Sequence, residues 1–358
     1  MSKASASKEV DNKTKLSQTR IWSRFEQKIP ATRTPKPKLS WVVDAVLPIT
    51  LSLLAGIIVL LPTSLPTQGR LSLFAFAIAI ILWSTTSLNA AYVALAAVIL
   101  LILSGGSDQE KLFEALESDV IWLMIGAFIL GGAVQQTGLA ARLTQVVVAK
   151  ANTVGKVFWL MTTILIPLAF VIPSTSGRAA VVIPVFRSIV NATGDRKITR
   201  ALALLMPTVI LVSTISTLIA ASSHLIAIDL LDEIADVNLS YTQWVVYGFP
   251  FGVIASYLSC WVVMHLFLNK NLRQRPLEIT KQKQKSFSRA EKTTLIVVLA
   301  MVILWLTESW HGLEIATVTV IGALVLTAPG IGAIAWKDGL KAVSWNLIIF
   351  VGAALVLG

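Results

Sequence analysis

The stretch Ile172-Pro173-Ser174-Thr175-Ser176-Gly177-Arg178 interrupts an apolar segment that runs from about residue 155 to residue 190. Pro173 lacks a backbone donor and Gly177 permits a tight turn, so one continuous helix is excluded. The flanks decide what the segment is. Arg142, Lys150 and Lys156 precede its apolar body, and Arg187, Arg196, Lys197 and Arg200 close it. Lys and Arg gather on the cytoplasmic side of membrane spans, so basic residues at both ends mean that the segment enters and leaves by the same face. A re-entrant helical hairpin does this, with Ser174 to Gly177 at its tip near the midplane. Non-helical backbone survives at that depth only where protein or a water-filled cavity covers it. A helix starting near Gly177 also points its positive end at the tip, which suits an anion.

The rest of the chain fits a bilayer. It is 55% hydrophobic and 14% charged over 358 residues, against about 25% charged in soluble domains. Spans are read at 42–62, 70–87, 89–104, 120–137, 198–220, 242–268, 292–310 and 313–328, with a ninth from Ser344. The 198–220 span runs into Ala221-Ser222-Ser223-His224 and is read as broken there. Residues 1–40 hold ten Lys/Arg against three acids, and 269–292 hold eight against two. Asp108, Glu110, Glu114, Glu117 and Asp119 crowd one loop, and Asp229, Asp232, Glu233 and Asp236 another. These alternate as inside and outside faces only with the hairpin in place. The N-terminus is then cytoplasmic, in a multi-pass protein of the plasma (inner) membrane. No apolar leader precedes residue 40. The first span must therefore act as its own insertion signal.

Four regions follow: a basic tail at 1–40, the first three scaffold spans with the hairpin and broken-helix half at 41–268, a basic linker at 269–291, and the start of a second repeat at 292–358. In the tail, Leu16, Ile21, Trp22, Phe25 and Ile29 fall near helical spacing, so the tail is either a surface helix or disordered. Thr34 to Lys38 reads as an extended linker. Cys260, the only cysteine, excludes an internal disulfide. The basic runs are read as membrane flanks, with no nucleic-acid partner.

Residues 114–132, EALESDVIWLMIGAFILGG, align with 340–358, LKAVSWNLIIFVGAALVLG. Ser118 meets Ser344, Gly126 meets Gly352, Ala127 meets Ala353 and Gly132 meets Gly358. Each stretch follows two spans and an amphipathic connector, and the charge count runs them in opposite directions. The fold class is therefore all-α integral membrane: an inverted-repeat secondary transporter with a re-entrant hairpin and a broken helix. By that symmetry about 120–150 further residues should follow, with a second hairpin entering from outside. The 358-residue chain alone is expected not to transport.

The Gly-rich fourth span with Gln135-Gln136-Thr137-Gly138-Leu139-Ala140-Ala141-Arg142, the hairpin, the broken span, and Trp244-Val245-Val246-Tyr247-Gly248-Phe249-Pro250 resemble the divalent-anion/sodium symporter family, over residues 42–358. The resemblance implies secondary transport of a dicarboxylate, sulfate or similar oxyanion. Family tips carry Ser-Asn-Thr, ten residues before a Pro, and bind sodium and a substrate carboxylate. Here Ser174, Thr175 and Ser176 hold that place, with Pro184 ten past Ser174. Thr175 replaces the Asn, and Gly and Pro are missing from the break. A sodium site near Ser174, Thr175 and Ser176 is thereby weakened, and proton coupling or exchange is favoured over sodium symport. The candidate substrate residues are Ser174, Thr175, Ser176, Gly177, Arg178, Ser222, Ser223 and His224. Arg178 either compensates substrate charge or snorkels structurally. His224 either serves substrate or a coupling proton, or sits in water at an outer span end. Trp41, Trp244, Trp310 and Trp345 read as interfacial anchors. No phosphate loop, zinc spacing or nucleophile elbow appears, so no cofactor and no enzyme activity are expected. An anion channel on the same scaffold and an inactive truncated fragment are the alternatives. The partners implied are a small anion, the lipid bilayer and, through the scaffold spans, a second copy of the chain.

Overall fold

A computed structural model describes residues 38–357 apart from 62, 63, 238 and 278–285. The surface helix and the linker read in the tail ahead of Lys38 lie outside the described residues. Regular structure among the described residues is helical, save an isolated bridge between Thr153 and Pro276. The first three spans are α1 (Lys38–Leu60), α2 (Thr67–Thr85) and α3 (Ala90–Leu103), and a short α4 (Gln109–Glu117) leads into α5 (Asp119–Gln136) and the connector α6 (Leu139–Val148). The hairpin is α7 (Val154–Val171) and α8 (Thr175–Thr193). The broken span is α9 (Arg196–Val212) and α10 (Ser222–Ala235), joined by 3-10 turns at Ser213–Ser216 and Leu218–Ala220. Then come α11 (Tyr241–Phe267), α12 (Lys270–Gln274), α13 (Arg289–Leu306), α14 (Glu308–His311), α15 (Ile315–Thr327), α16 (Trp336–Ala342) and α17 (Trp345–Leu357).

Caps set the starts of these helices. Asn89 accepts the Ala91 amide at 2.9 Å, Asp195 accepts the Lys197 amide at 2.7 Å, and Ser240 and Ser288 open capping boxes with Gln243 and Glu291. Each cap meets amides that an α-helix leaves unpaired in its first turn. Among the described residues five helices are long and apolar enough to cross a membrane, and six if the bent pair α16–α17 counts as one. Large apolar side chains such as Leu103, Ile254 and Leu266 face outward, where lipid would cover them.

The two feet of the hairpin lie together. Thr153 bridges Pro276, the Leu277 amide donates to the Asn152 carbonyl at 3.0 Å, and Asp195 pairs with Arg275 at 3.7 Å. Adjacent residues of one segment thus hold the start of α7 and the end of α8 side by side, so the two helices form a hairpin with neighbouring feet. Its tip seats on α5: a Cβ on Gly131 would lie 3.0 Å from Pro173. Gly131 is twelve residues past Asp119, about 18 Å along the helix axis. The tip therefore ends inside the bundle. At the other end Asp119, Asp232, Glu308 and Glu314 surround a cavity of about 210 Å³.

Packing repeats between the halves. α5 packs chiefly on α15, and α17 chiefly on α3; α2 packs on α3 as α13 packs on α15; α16 reaches α5 as α17 reaches α4. Exchanging α2, α3, α4 and α5 for α13, α15, α16 and α17 leaves this pattern unchanged. At the first contact Gly126 lets the Thr319 backbone within 3.1 Å of where a Cβ would sit. Thr319 in turn accepts the Trp305 indole N–H at 3.1 Å.

Candidate anion site

The tip is built from Ser174 outward. Its extended backbone (φ −148°, ψ 124°) caps α8, and its hydroxyl accepts the Gly177 amide at 3.1 Å. The helix therefore starts at Thr175, two residues before the start read from sequence. One turn on, Arg178 is fully buried. Its Nη1 donates to the Ser213 hydroxyl at 3.0 Å, while Nε and Nη2 have no partner among the described residues. Ser213 opens the break in the fifth span. The guanidinium thus joins the hairpin to the broken helix.

The break itself begins at Ser213, eight residues before the Ala221 position read from sequence. The reason is local and then tertiary. Ser213 and Thr214 hydroxyls donate back to the Ile210 and Leu211 carbonyls, competing with the helical pattern. Thr217 and Ala221 are then fully extended. Gly248 and Gly252 of α11 make room for this backbone: a Cβ on Gly248 would clash with the Ile215 carbonyl, and one on Gly252 with the Ser216 hydroxyl. The freed Ile215 carbonyl accepts the Trp244 indole N–H at 3.0 Å, and Thr217 shares a 2.9 Å hydrogen bond with Tyr241. Trp244 is therefore a partner of the break, in contrast to the interfacial anchor read from its position near a span end. Trp310, by contrast, is 87% exposed.

The candidate residues separate into two groups. Ser174, Ser176 and Gly177 line a cavity of about 460 Å³ between the tip, α5 and the α16–α17 junction. Arg178 and His224 face the break. The His224 ring stacks on Trp244 with centroids 4.9 Å apart, and its buried Nδ1 has no partner among the described residues. Ser222 and Ser223 open α10 and, like Thr175, do not line the cavity. Sequence reasoning missed Gln135, Gln136, Lys341 and Ser344 as cavity residues. Two signals were available: the Gln135-Gln136 pair within the run that carries the resemblance, and the alignment of Ser344 with the helix-capping Ser118.

A family model described as the sodium:sulfate symporter transmembrane region matches residues 43–358. The chain belongs to this family. Relatives include a "Membrane protein" of Cupriavidus necator, 26% identical over 90% of this chain and 67% of that protein. The putative malate transporter YflS of Bacillus subtilis is 26% identical over 74% of this chain and 58% of that protein. The citrate/succinate antiporter of Escherichia coli is 22% identical over 67% and 52%. The chain spans about half to two thirds of the length of these curated relatives. Family membership and the apolar helices make it an integral membrane protein.

Proposed function

We propose that this protein takes part in secondary transport of a small dianion, of the dicarboxylate class, across a bacterial inner membrane. The basic end of the bundle, with both hairpin feet, faces the cytoplasm, and the reciprocal packing of the two element sets reflects an inverted repeat. Arg178 carries the reading. A guanidinium with two nitrogens, Nε and Nη2, that have no partner among the described residues, fully buried at the junction of a hairpin tip and a broken helix, is costly at membrane depth. It is retained because its fixed charge compensates the bound anion. A cation held covalently there leaves no need for a mobile one, so coupling is to protons or to counter-exchange. Malate, citrate and succinate, named for the relatives, set the chemical class.

The test is uptake of labelled succinate by the full-length protein in liposomes. Arg178→Gln should abolish saturable uptake while the protein still inserts. Arg178→Lys keeps the charge but not the planar fork, and should retain activity at an affinity about tenfold weaker. Replacing sodium by potassium should leave the wild-type rate unchanged. Normal uptake by the Gln variant would make Arg178 structural and remove the reading.

A further inference from the structure

The first turn of α11 does more to the break than make room for it. Thr217 lies between the two 3-10 turns in extended backbone (φ −150°, ψ 142°), where no helical pattern fixes its side chain. Its hydroxyl shares the 2.9 Å hydrogen bond with the Tyr241 hydroxyl. Behind that phenol, the Tyr241 ring lies 5.5 Å from the Trp305 ring, and the Trp305 indole N–H is held by the Thr319 hydroxyl. Thr217, Tyr241, Trp305 and Thr319 are each at most 1% exposed. The Thr319 backbone in turn seats on Gly126 of α5. A buried line thus runs from the break to the contact between α5 and α15.

From this line we infer that Tyr241 is a positioning residue for the anion site: its hydroxyl fixes Thr217, and with it the part of the break that carries Ser213. Packing on Trp305 asks only for a ring. A phenol buried there would be costlier than a phenyl unless its hydroxyl were bonded, and Thr217 is the group it bonds. Ser213, the partner of Arg178, lies four residues before Thr217. Trp244, three residues past Tyr241 on the same face of α11, ties the Ile215 carbonyl between them. Tyr241 carries this grip on to α13 and α15, so the break is registered against the second set of helices. Without the phenol hydroxyl, the buried Thr217 hydroxyl loses its partner, and the segment must shift to find another. Such a shift moves Ser213 and re-aims the guanidinium. The inference rests on the anion-carrier reading, in which Arg178 meets the substrate, and adds a residue that acts without touching it.

Equilibrium binding of labelled succinate to the full-length protein in nanodiscs tests it, with the unfolding temperature measured in parallel. Tyr241→Phe keeps the ring on Trp305 and should weaken succinate about tenfold, the scale of one buried hydroxyl left unpaired. Thr217→Val removes the other partner and should weaken it by a similar factor. The double variant should bind no worse than either single one, because the same bond is lost in each. Thr217→Ser keeps the hydroxyl and should bind as wild type; if Tyr241→Phe does not insert, the Val and Ser variants of Thr217 decide the matter. Thr242→Val is the control. It removes a 3.3 Å hydrogen bond to the Leu306 carbonyl, which also fastens α11 to α13 but does not reach the break, and should leave affinity unchanged. Lowered unfolding temperatures with unchanged affinity would make Tyr241 merely structural and overturn the inference. Weakening by only one of the two partners, factors that multiply in the double variant, or equal weakening by Thr242→Val would overturn it as well. If Arg178→Gln abolishes binding while the Tyr241 and Thr217 variants bind as wild type, the carrier reading stands and the positioning role falls. Binding of no succinate by the wild type would remove both.

Discussion

Gly248 and Gly252 show how a single absent Cβ shapes the site. The broken segment can lie against α11 only because the Ile215 carbonyl and the Ser216 hydroxyl occupy space a side chain would fill. Gly248→Ala should therefore displace backbone, which cannot give way as a flexible side chain can. The expected cost is about 2–3 kcal/mol, the scale of overpacking a close contact. It should appear as a lowered unfolding temperature in detergent, together with loss of the Trp244–Ile215 hydrogen bond from tryptophan fluorescence. Gly56→Ala is the control, since its Cβ would meet only the Phe74 ring at 3.4 Å. Comparable losses at both positions would mean that the notch in α11 is not what seats the break. Arg178 was legible in the sequence because an arginine inside an apolar run announces itself. Lys341 was not, because it lies in a short connector and meets the tip only through folding. Trp244 was misread for a similar reason: position near a span end cannot tell an interfacial ring from one that caps a freed carbonyl.

At the level of elements, the connector α6 is tied to the second half of the chain. Arg142 pairs with Glu291 at 2.7 Å, and its guanidinium lies 4.7 Å from the centre of the Phe287 ring. Glu291 also closes the capping box of α13 with Ser288. The Ser288 amide, aided by the Ser288 hydroxyl and by Arg142, holds the Glu291 carboxyl below the usual carboxylate range. A lowered carboxylate contributes stability above its unfolded value, and that stability fades as pH falls through the folded one. The clasp should thus be intact at neutral pH and released only in acid below the ordinary glutamate range. In a double-mutant cycle of Arg142→Ala and Glu291→Gln, the coupling should be on the order of 1 kcal/mol at pH 7. It should vanish in acid; coupling that persists there would show that packing, not charge, joins the two elements. The elements themselves were largely readable, because their starts are fixed by Ser, Asn and Asp caps just ahead of apolar runs. The break was displaced from Ala221 to Ser213 because its cause, a glycine notch in α11 more than thirty residues on, is not local.

Across the molecule, charge and symmetry follow one plan. Acidic groups gather around the small cavity at one end, and the hairpin feet are clasped among basic residues at the other. The two sets of helices exchange partners without changing the pattern of contacts. The central claim is that an anion site sits at the tip of a hairpin that enters and leaves by one face. Ser176 is exposed on the wall of the cavity beside that tip, and Cys260, the only cysteine, is buried. The most direct measurement is the rate at which a membrane-impermeant thiol reagent modifies Ser176→Cys in a Cys260→Ser background, applied from each side with and without succinate. Modification should proceed from the face that also labels cysteines placed at Lys156 and Arg196, and succinate should slow it. Modification only from the opposite face, or at a rate that succinate leaves unchanged, would contradict the hairpin site.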